Sequence, residues 1–261
     1  MSDERSLPLM THLKASIQGN GIAVVSFARP PMNAMDSAML EGLAALFDRL
    51  AGDPVVRAAV LIGEGKAFSA GLDLKLLPNL DIAEQRRLIA AMNEGFGTLY
   101  AWPKPLVTAI NGHAIAGGMV VALCGDWRIV ADVPLKASLA EVRVGVPYPV
   151  SALDIARSEL APTAARRLIL FGEELDAAAT VALSVFDECV PPDALLAQAI
   201  ARAERDAELP PRAFALTKRQ LRWAPLARIA AARAGEAEPR YAAWLGEETH
   251  RAAAAMLRGA A

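Results

Sequence analysis

Asn111-Gly112-His113-Ala114-Ile115-Ala116-Gly117-Gly118 runs straight into the apolar stretch Met119-Val120-Val121-Ala122-Leu123. Residues 106–110 before it read as a buried strand, and 116–124 as a helix opened by the paired glycines. Such a helix start leaves backbone N–H groups without intrahelical acceptors at the positive end of the dipole, where a developing negative oxygen fits. Close packing of a helix on a sheet also demands glycine, so the pair alone supports both readings equally.

Working upstream, residues 22–28 read as a strand, followed by the loop Arg29-Pro30-Pro31-Met32-Asn33-Ala34. Asp36 or Ser37 then caps a helix that carries Met39, Leu40, Leu43, Leu46, Phe47 and Leu50 on one face and stops at Gly52-Asp53-Pro54. Residues 58–62 are a buried strand and 63–68 a turn-rich loop. Leu88, Ile89, Met92, Phe96 and Leu99 mark a further helix closed by Trp102-Pro103, and residues 127–131 form another strand. This alternation predicts an α/β domain. After Ala161 the strand signal fades, and helices are expected over 163–170, 193–205, 212–223 and 241–257. No linker divides the two parts, which are taken as a core over 1–205 and a helical C-terminal region over 206–261.

Composition removes several classes of function. A formal charge of -2 and a pI near 6.0 provide no basic field for nucleic acid. The longest apolar or glycine stretch, residues 114–125, falls short of the roughly 18 residues of a membrane span. Residues 1–5 include Asp3 and Glu4 and lead into no apolar run, so they do not read as a secretory signal. Cys124 and Cys189 show no metal-ligand spacing and sit among apolar residues, which reads as two reduced core thiols in a cytoplasmic protein.

The other informative segment is Lys66-Ala67-Phe68-Ser69-Ala70-Gly71-Leu72-Asp73-Leu74. Small residues at 69–71 after a strand allow the backbone close to a ligand, or make a tight turn; Asp73 can tie the loop. Together with 111–118 this segment resembles the two signature segments of the crotonase (enoyl-CoA hydratase/isomerase) superfamily, in order and spacing. Pro30-Pro31-Met32-Asn33-Ala34-Met35 is similar to its first coenzyme A loop, about one residue shorter, and Ala140-Glu141-Val142-Arg143-Val144-Gly145-Val146-Pro147 to its catalytic-glutamate segment. The resemblance spans residues 15–225; the usual ending of the last helix is absent.

The resemblance implies a crotonase-like spiral of ββα units with a helical C-terminal trimerisation region, assembled as a homotrimer or a dimer of trimers. It implies an acyl-CoA substrate, coenzyme A arriving as part of that substrate, and no metal or other cofactor. The backbone N–H groups of Leu72 and Gly117 would form the oxyanion hole. Met32, Ala34, Ala70, Asp73 and Gly118 fall in the region that contacts substrate and coenzyme A, with Lys66 and Arg29 as phosphate contacts.

Hydratases of the superfamily place two glutamates around one water. Here the first position is Val120, and residues 119–123 offer no proton-transfer group, which leaves Glu141. A lone carboxylate in an apolar pocket has a raised pKa and serves as a base near neutrality. Pairing of Glu141 with Arg143 is the bland alternative. One base can remove a proton from C2 or C4 of an enoyl thioester and return it to the other end, so isomerisation is favoured over hydration. A hydratase with a different second acid, or a catalytically silent acyl-CoA binder or scaffold, stays open. The aspartate expected of dienoyl isomerases falls on Pro149. His113 reads as structural, His12 and His250 lack partners, and Tyr148 and Asp154 read as packing or solvated residues, with lining of the acyl pocket as the alternative.

Overall fold

Val60 and Leu61 are adjacent in sequence and equally buried, yet they serve different cores in the computed structural model, which describes residues 5–7, 11–77, 80–235 and 251. The period of two along a strand is the reason. Their strand belongs to a seven-stranded sheet built, in spatial order, from β1 (Arg5–Ser6), β2 (Leu13–Ile17), β3 (Ile22–Phe27), β4 (Ala58–Gly63), β6 (Leu106–Ile110), β8 (Trp127–Ala131) and β10 (Glu188–Val190). The first three strands pair antiparallel and the rest parallel. A second, parallel sheet holds β5 (Ala67–Ser69), β7 (His113–Ile115) and β9 (Ala137–Ser138).

Each pair β4–β5, β6–β7 and β8–β9 contributes one strand to each sheet, so the chain winds as a spiral of ββ steps. Helices fill the turns: α1 (Ser37–Gly52), α2 (Ile82–Ala101) and α3 (Gly117–Leu123), then α4 (Val150–Glu159) and α5 (Pro162–Ala165), which runs into a π turn, Arg166–Leu170. After α6 (Ala177–Ala182) and β10 come α7 (Leu195–Asp206), α8 (Pro211–Leu221) and α9 (Trp223–Arg233). Asp36 caps α1 by accepting the Met39 N–H at 2.8 Å, and Asp81 with Glu84 forms a capping box on α2.

Ala59 and Leu61 face the main core with α1 and α2, whereas Ala58 and Val60 face Leu195, Ala199 and Ala203 of α7. The sheet is thus covered on both sides, which is why its parallel strands read as continuous apolar runs. The C-terminal helices join the same interior: Ile229 of α9 lies in the main core, and Lys218 and Arg222 are buried.

Several expectations need correction. A strand, β10, does follow Ala161; its three residues are too few for a periodic signal. Cys124 is buried as expected, but Cys189 is exposed, because alternation along β10 turns Val190 inward instead. The loop over 63–68 is shorter than expected, since pairing with β7 makes Ala67–Ser69 a strand. The expected helix over 241–257, His250 and the chain start at 1–4 lie outside the described residues. No helix among the described residues is long and apolar enough to cross a membrane.

Candidate active site

Asn33, absent from the sequence-based candidates, organises the first loop. Its backbone has φ +50°, and its fully buried amide donates to the Glu64 and Ala67 carbonyls at 2.9 and 2.8 Å. The same side chain accepts the Arg29 N–H, and its own carbonyl accepts the Ser69 hydroxyl at 2.7 Å. An asparagine in a Pro-rich loop is the available sign of such a role, because asparagine tolerates positive φ and bonds backbone locally.

This lattice fixes the two loops side by side. Ala70 N–H donates to Met32 O at 2.9 Å, Met35 N–H to Gly71 O at 2.7 Å and Asp73 N–H to Met35 O at 2.9 Å. Gly71 has φ +76°, and a Cβ there would stand 2.6 Å from Ile115 O and 2.8 Å from Gly117 N. The segment ending in Leu72 therefore lies against the start of α3, and glycine alone permits that approach. Just before α3, Ala116 adopts φ +50°, ψ -124°, a conformation costing a non-glycine residue about 1–3 kcal/mol and found where surrounding structure enforces it. Among the described residues, neither the Leu72 nor the Gly117 amide donates to a protein acceptor.

Leu72 and Gly117 border one cavity together with Ala70, Leu74, Leu77, Met92, Phe96, Ile115, Ala116, Ala140, Val144, Val146, Pro149, Ala152 and Glu141. Glu141 is the one titratable side chain in that lining, is 7% exposed, and its Oε2 is buried without a hydrogen-bond partner among the described residues. Burial in this apolar shell pushes its pKa up to about 7, against smaller opposing contributions from its own backbone N–H and the Tyr148 hydroxyl. Arg143 does not pair with it; that guanidinium holds Glu174 at 2.6 Å.

The other candidates divide. Met32 and Ala34 are half-buried on the first loop, Ala70 lines the cavity and Lys66 is exposed on the turn before β5. Asp73 ties the loops, because Arg29 bonds it at 2.9 Å while reaching Asp36 at 3.6 Å and Ala34 O at 2.6 Å. Arg29, expected at a phosphate, has its charge and donors committed inside the protein. Gly118 is not in the cavity lining; a Cβ there would stand 2.1 Å from Ser69 O, so its glycine serves helix–loop packing. Val120 is fully buried and likewise outside the lining. His113 accepts the Lys136 N–H through Nδ1 at 3.0 Å, a structural role. Asp154 pairs with Arg228 and Arg157 at 2.7 and 3.2 Å. Tyr148 is half-buried, and its hydroxyl donates to the Ile169 carbonyl at 3.4 Å; it is not in the cavity lining. Among the described residues no group of His, Cys, Asp and Glu side chains could hold a metal ion.

Two linked sheets wound as a ββα spiral define a crotonase-type fold, in which a buried carboxylate shares one cavity with Leu72 and with Gly117 at a glycine-opened helix. The family model for enoyl-CoA hydratase/isomerase matches residues 18–249. A probable enoyl-CoA hydratase EchA17 of Mycobacterium tuberculosis is 32% identical over 220 residues, covering 83% of this chain and 84% of the relative. The human mitochondrial enoyl-CoA delta isomerase 1 is 31% identical over 213 residues, 81% and 70% of the two chains. Among solved structures, human mitochondrial delta3-delta2-enoyl-CoA isomerase superposes with a TM-score of 0.85 at 28% identity, covering 93% of this chain and 95% of the other. A probable enoyl-CoA hydratase EchA3 of M. tuberculosis gives 0.79 at 30% identity, covering 86% and 94%. The chain belongs to the enoyl-CoA hydratase/isomerase family.

Proposed function

We propose that the protein moves a double bond along the acyl chain of an enoyl-CoA thioester, with Glu141 as its single base and the Leu72 and Gly117 amides as oxyanion donors. One observation carries this reading: Glu141 is the only titratable side chain lining the cavity among the described residues. As the carboxylate, it takes a proton from C2 of a 3-enoyl thioester; the electron pair flows onto the thioester oxygen, and the same proton returns at C4 to leave the 2-enoyl product. A preplaced donor at that oxygen is typically worth about 2.7–4 kcal/mol. A pKa of about 7 leaves both protonation states accessible near neutrality, which a shuttle needs. Hydration calls for a second group to orient water or protonate carbon, and the position where the superfamily carries it is Val120.

Coenzyme A itself is assigned to the loop surface bearing Met32, Ala34, Lys66, Ala70 and Asp73, where the exposed Lys66 suits a phosphate. No metal or further cofactor belongs to this reading. We also propose a homotrimer or dimer of trimers acting in cytoplasmic fatty acid metabolism; exposed Leu216, Leu221 and Trp223 on the C-terminal helices support the subunit contact.

Matched 2-enoyl and 3-enoyl thioesters in heavy water test the mechanism. Double-bond migration with C2 exchange and little hydration is expected from the wild type, and loss of both from Glu141→Gln with thioester binding retained. Robust hydration that survives Glu141→Gln overturns the proposal in favour of a hydratase with another acid. Thioester-dependent stabilisation without turnover on any substrate overturns it in favour of a silent binder.

A further inference from the structure

The backbone of Leu72 is held by the first loop. Met35 and Leu72 form a parallel β-bridge, in which Met35 N–H donates to Gly71 O at 2.7 Å and Asp73 N–H donates to Met35 O at 2.9 Å. The residues flanking Leu72 carry the bonds of this bridge, so the Leu72 N–H itself turns away from Met35 and is left for a ligand. The start of α3 is close by, since a Cβ on Gly71 would stand 2.8 Å from Gly117 N.

The two sides of Leu72 are anchored differently. Upstream, the Ser69 hydroxyl donates to Asn33 O at 2.7 Å and accepts Gly71 N–H at 3.1 Å, and Ala70 N–H donates to Met32 O. Downstream, among the described residues, two hydrogen bonds tie residues 73–77 to another element: Asp73 N–H to Met35 O, and Arg29 to the Asp73 carboxylate at 2.9 Å. The second carboxylate oxygen of Asp73 accepts Lys75 N–H at 3.2 Å and so shapes the turn that follows. Arg29 spans the bridge. Its Nη1 donates to Ala34 O at 2.6 Å, one residue before Met35, and its Nη2 to Asp73, one residue after Leu72. The Arg29 and Asp73 side chains are only 23% and 18% exposed, so salt screens the pair weakly. The other carboxylate near the guanidinium is Asp36, the cap of α1, at 3.6 Å.

We propose that Arg29 is a positioning residue for the oxyanion hole: by fastening Asp73 to Ala34 across the Met35–Leu72 bridge, it holds the Leu72 amide where the thioester oxygen becomes charged. The inference rests on the enolate reading of the cavity given above. A displacement of about 1 Å in a group that must meet the transition state typically costs about 10²-fold. A loosened Leu72 is therefore felt in stabilisation of the enolate more than in binding of the ground state.

Arg29→Gln removes the charge and the two-pronged donor, and Asp73→Asn keeps the shape of the acceptor while weakening the pair. Two ligands separate enolate stabilisation from binding. One is a 3-oxoacyl thioester, whose bound enolate is read by near-ultraviolet difference absorbance; the other is the saturated acyl thioester of equal length, which forms none. Each is used as the coenzyme A thioester and as the pantetheine thioester, which lacks the nucleotide phosphates. In Arg29→Gln the affinity for the 3-oxoacyl ligand is expected to fall roughly 10- to 100-fold together with its enolate absorbance, and that for the saturated ligand by less than about 3-fold, in both thioester series. Asp73→Asn should act in the same sense but less, and the double variant should be no worse than Arg29→Gln, because both changes remove one interaction. Equal losses on the two acyl groups overturn the proposal, as does unchanged selectivity in both variants. A loss confined to coenzyme A thioesters also overturns it and makes Arg29 a phosphate contact. Because these readings need no turnover, a wild type that fails to isomerise enoyl thioesters yet shows the Arg29-dependent selectivity refutes the proposed reaction and leaves the positioning role standing. Should Arg29→Gln fail to fold, Asp73→Asn decides alone.

Discussion

The two ends of helix α3 hold carboxylates in opposite ways. At its N-terminus the cavity holds Glu141, unpaired and surrounded by apolar side chains. Beyond its C-terminus, Asp126 and Glu159 are enclosed by Lys218, Arg222 and Arg128. Asp126 accepts from Lys218 at 2.7 Å and from Leu106 N–H at 2.9 Å; Glu159 accepts from Tyr100 at 2.7 Å and is bound by Arg128. Arg222 reaches both carboxylates, at 3.2 and 3.3 Å, and also stacks over the Tyr100 ring. Cations there also suit the helix dipole, and Arg128 donates to Leu123 O at 3.1 Å. A half-buried carboxylate with cationic partners fastens α8 and α9 to the core, whereas the buried one without them has its proton affinity raised towards neutrality, where it can both take and return a proton.

The largest expected effect separates the two ends by chemistry. Glu141→Gln should cut double-bond migration by at least the factor of about 10²–10⁴ that a general base contributes, measured as initial rates at saturating thioester. Equal loss on removing a carboxylate at the far end would dissolve the contrast. Arg222→Leu tests that far end, because it strips a partner from Asp126 and Glu159 together. A loss of about 3–5 kcal/mol in urea unfolding is expected, with turnover per folded molecule retained.

The next prediction concerns stability at the cavity. Between about pH 4.5 and about pH 7 the folded state keeps the Glu141 proton that the unfolded chain has released, so stability falls as pH rises through this window. The glutamine side chain of the Glu141→Gln variant never ionises, so the variant should gain on the order of 3 kcal/mol over wild type above neutrality, and the gain should vanish towards pH 4.5. Urea melts at the two pH extremes measure it; a pH-independent difference would mean Glu141 is not held against its charge. The smallest effect is at Ala116→Gly. Relief of the positive φ outweighs the extra flexibility of glycine, so a gain of about 1 kcal/mol is expected, with slower isomerisation as the Gly117 amide loosens. A destabilised variant would show that the backbone there carries no strain.

Much of the site was legible because its parts are local. Paired glycines at 117–118, the small residues at 69–71 and the helix faces of α1 and α2 are patterns within one element, set by helix and strand periods. So was the alternation of strands and helices, whereas the spiral, and Val120 as the place of a second carboxylate, were implied only by the resemblance to the superfamily.

Only tertiary structure decided whom each charge meets. Arg29 and Asp73 are 44 positions apart and Arg222 and Asp126 are further still, so no period or spacing predicts their pairing; the packing of loops and helices does. The same holds for Gly118, whose glycine answers to the Ser69 carbonyl, and for Tyr148, whose hydroxyl meets the Ile169 carbonyl 21 positions on. Sequence sets which groups are available and which face of an element they occupy. Proton affinity depends on solvent exclusion and on partners within a few ångströms, and those are fixed when the chain closes on itself.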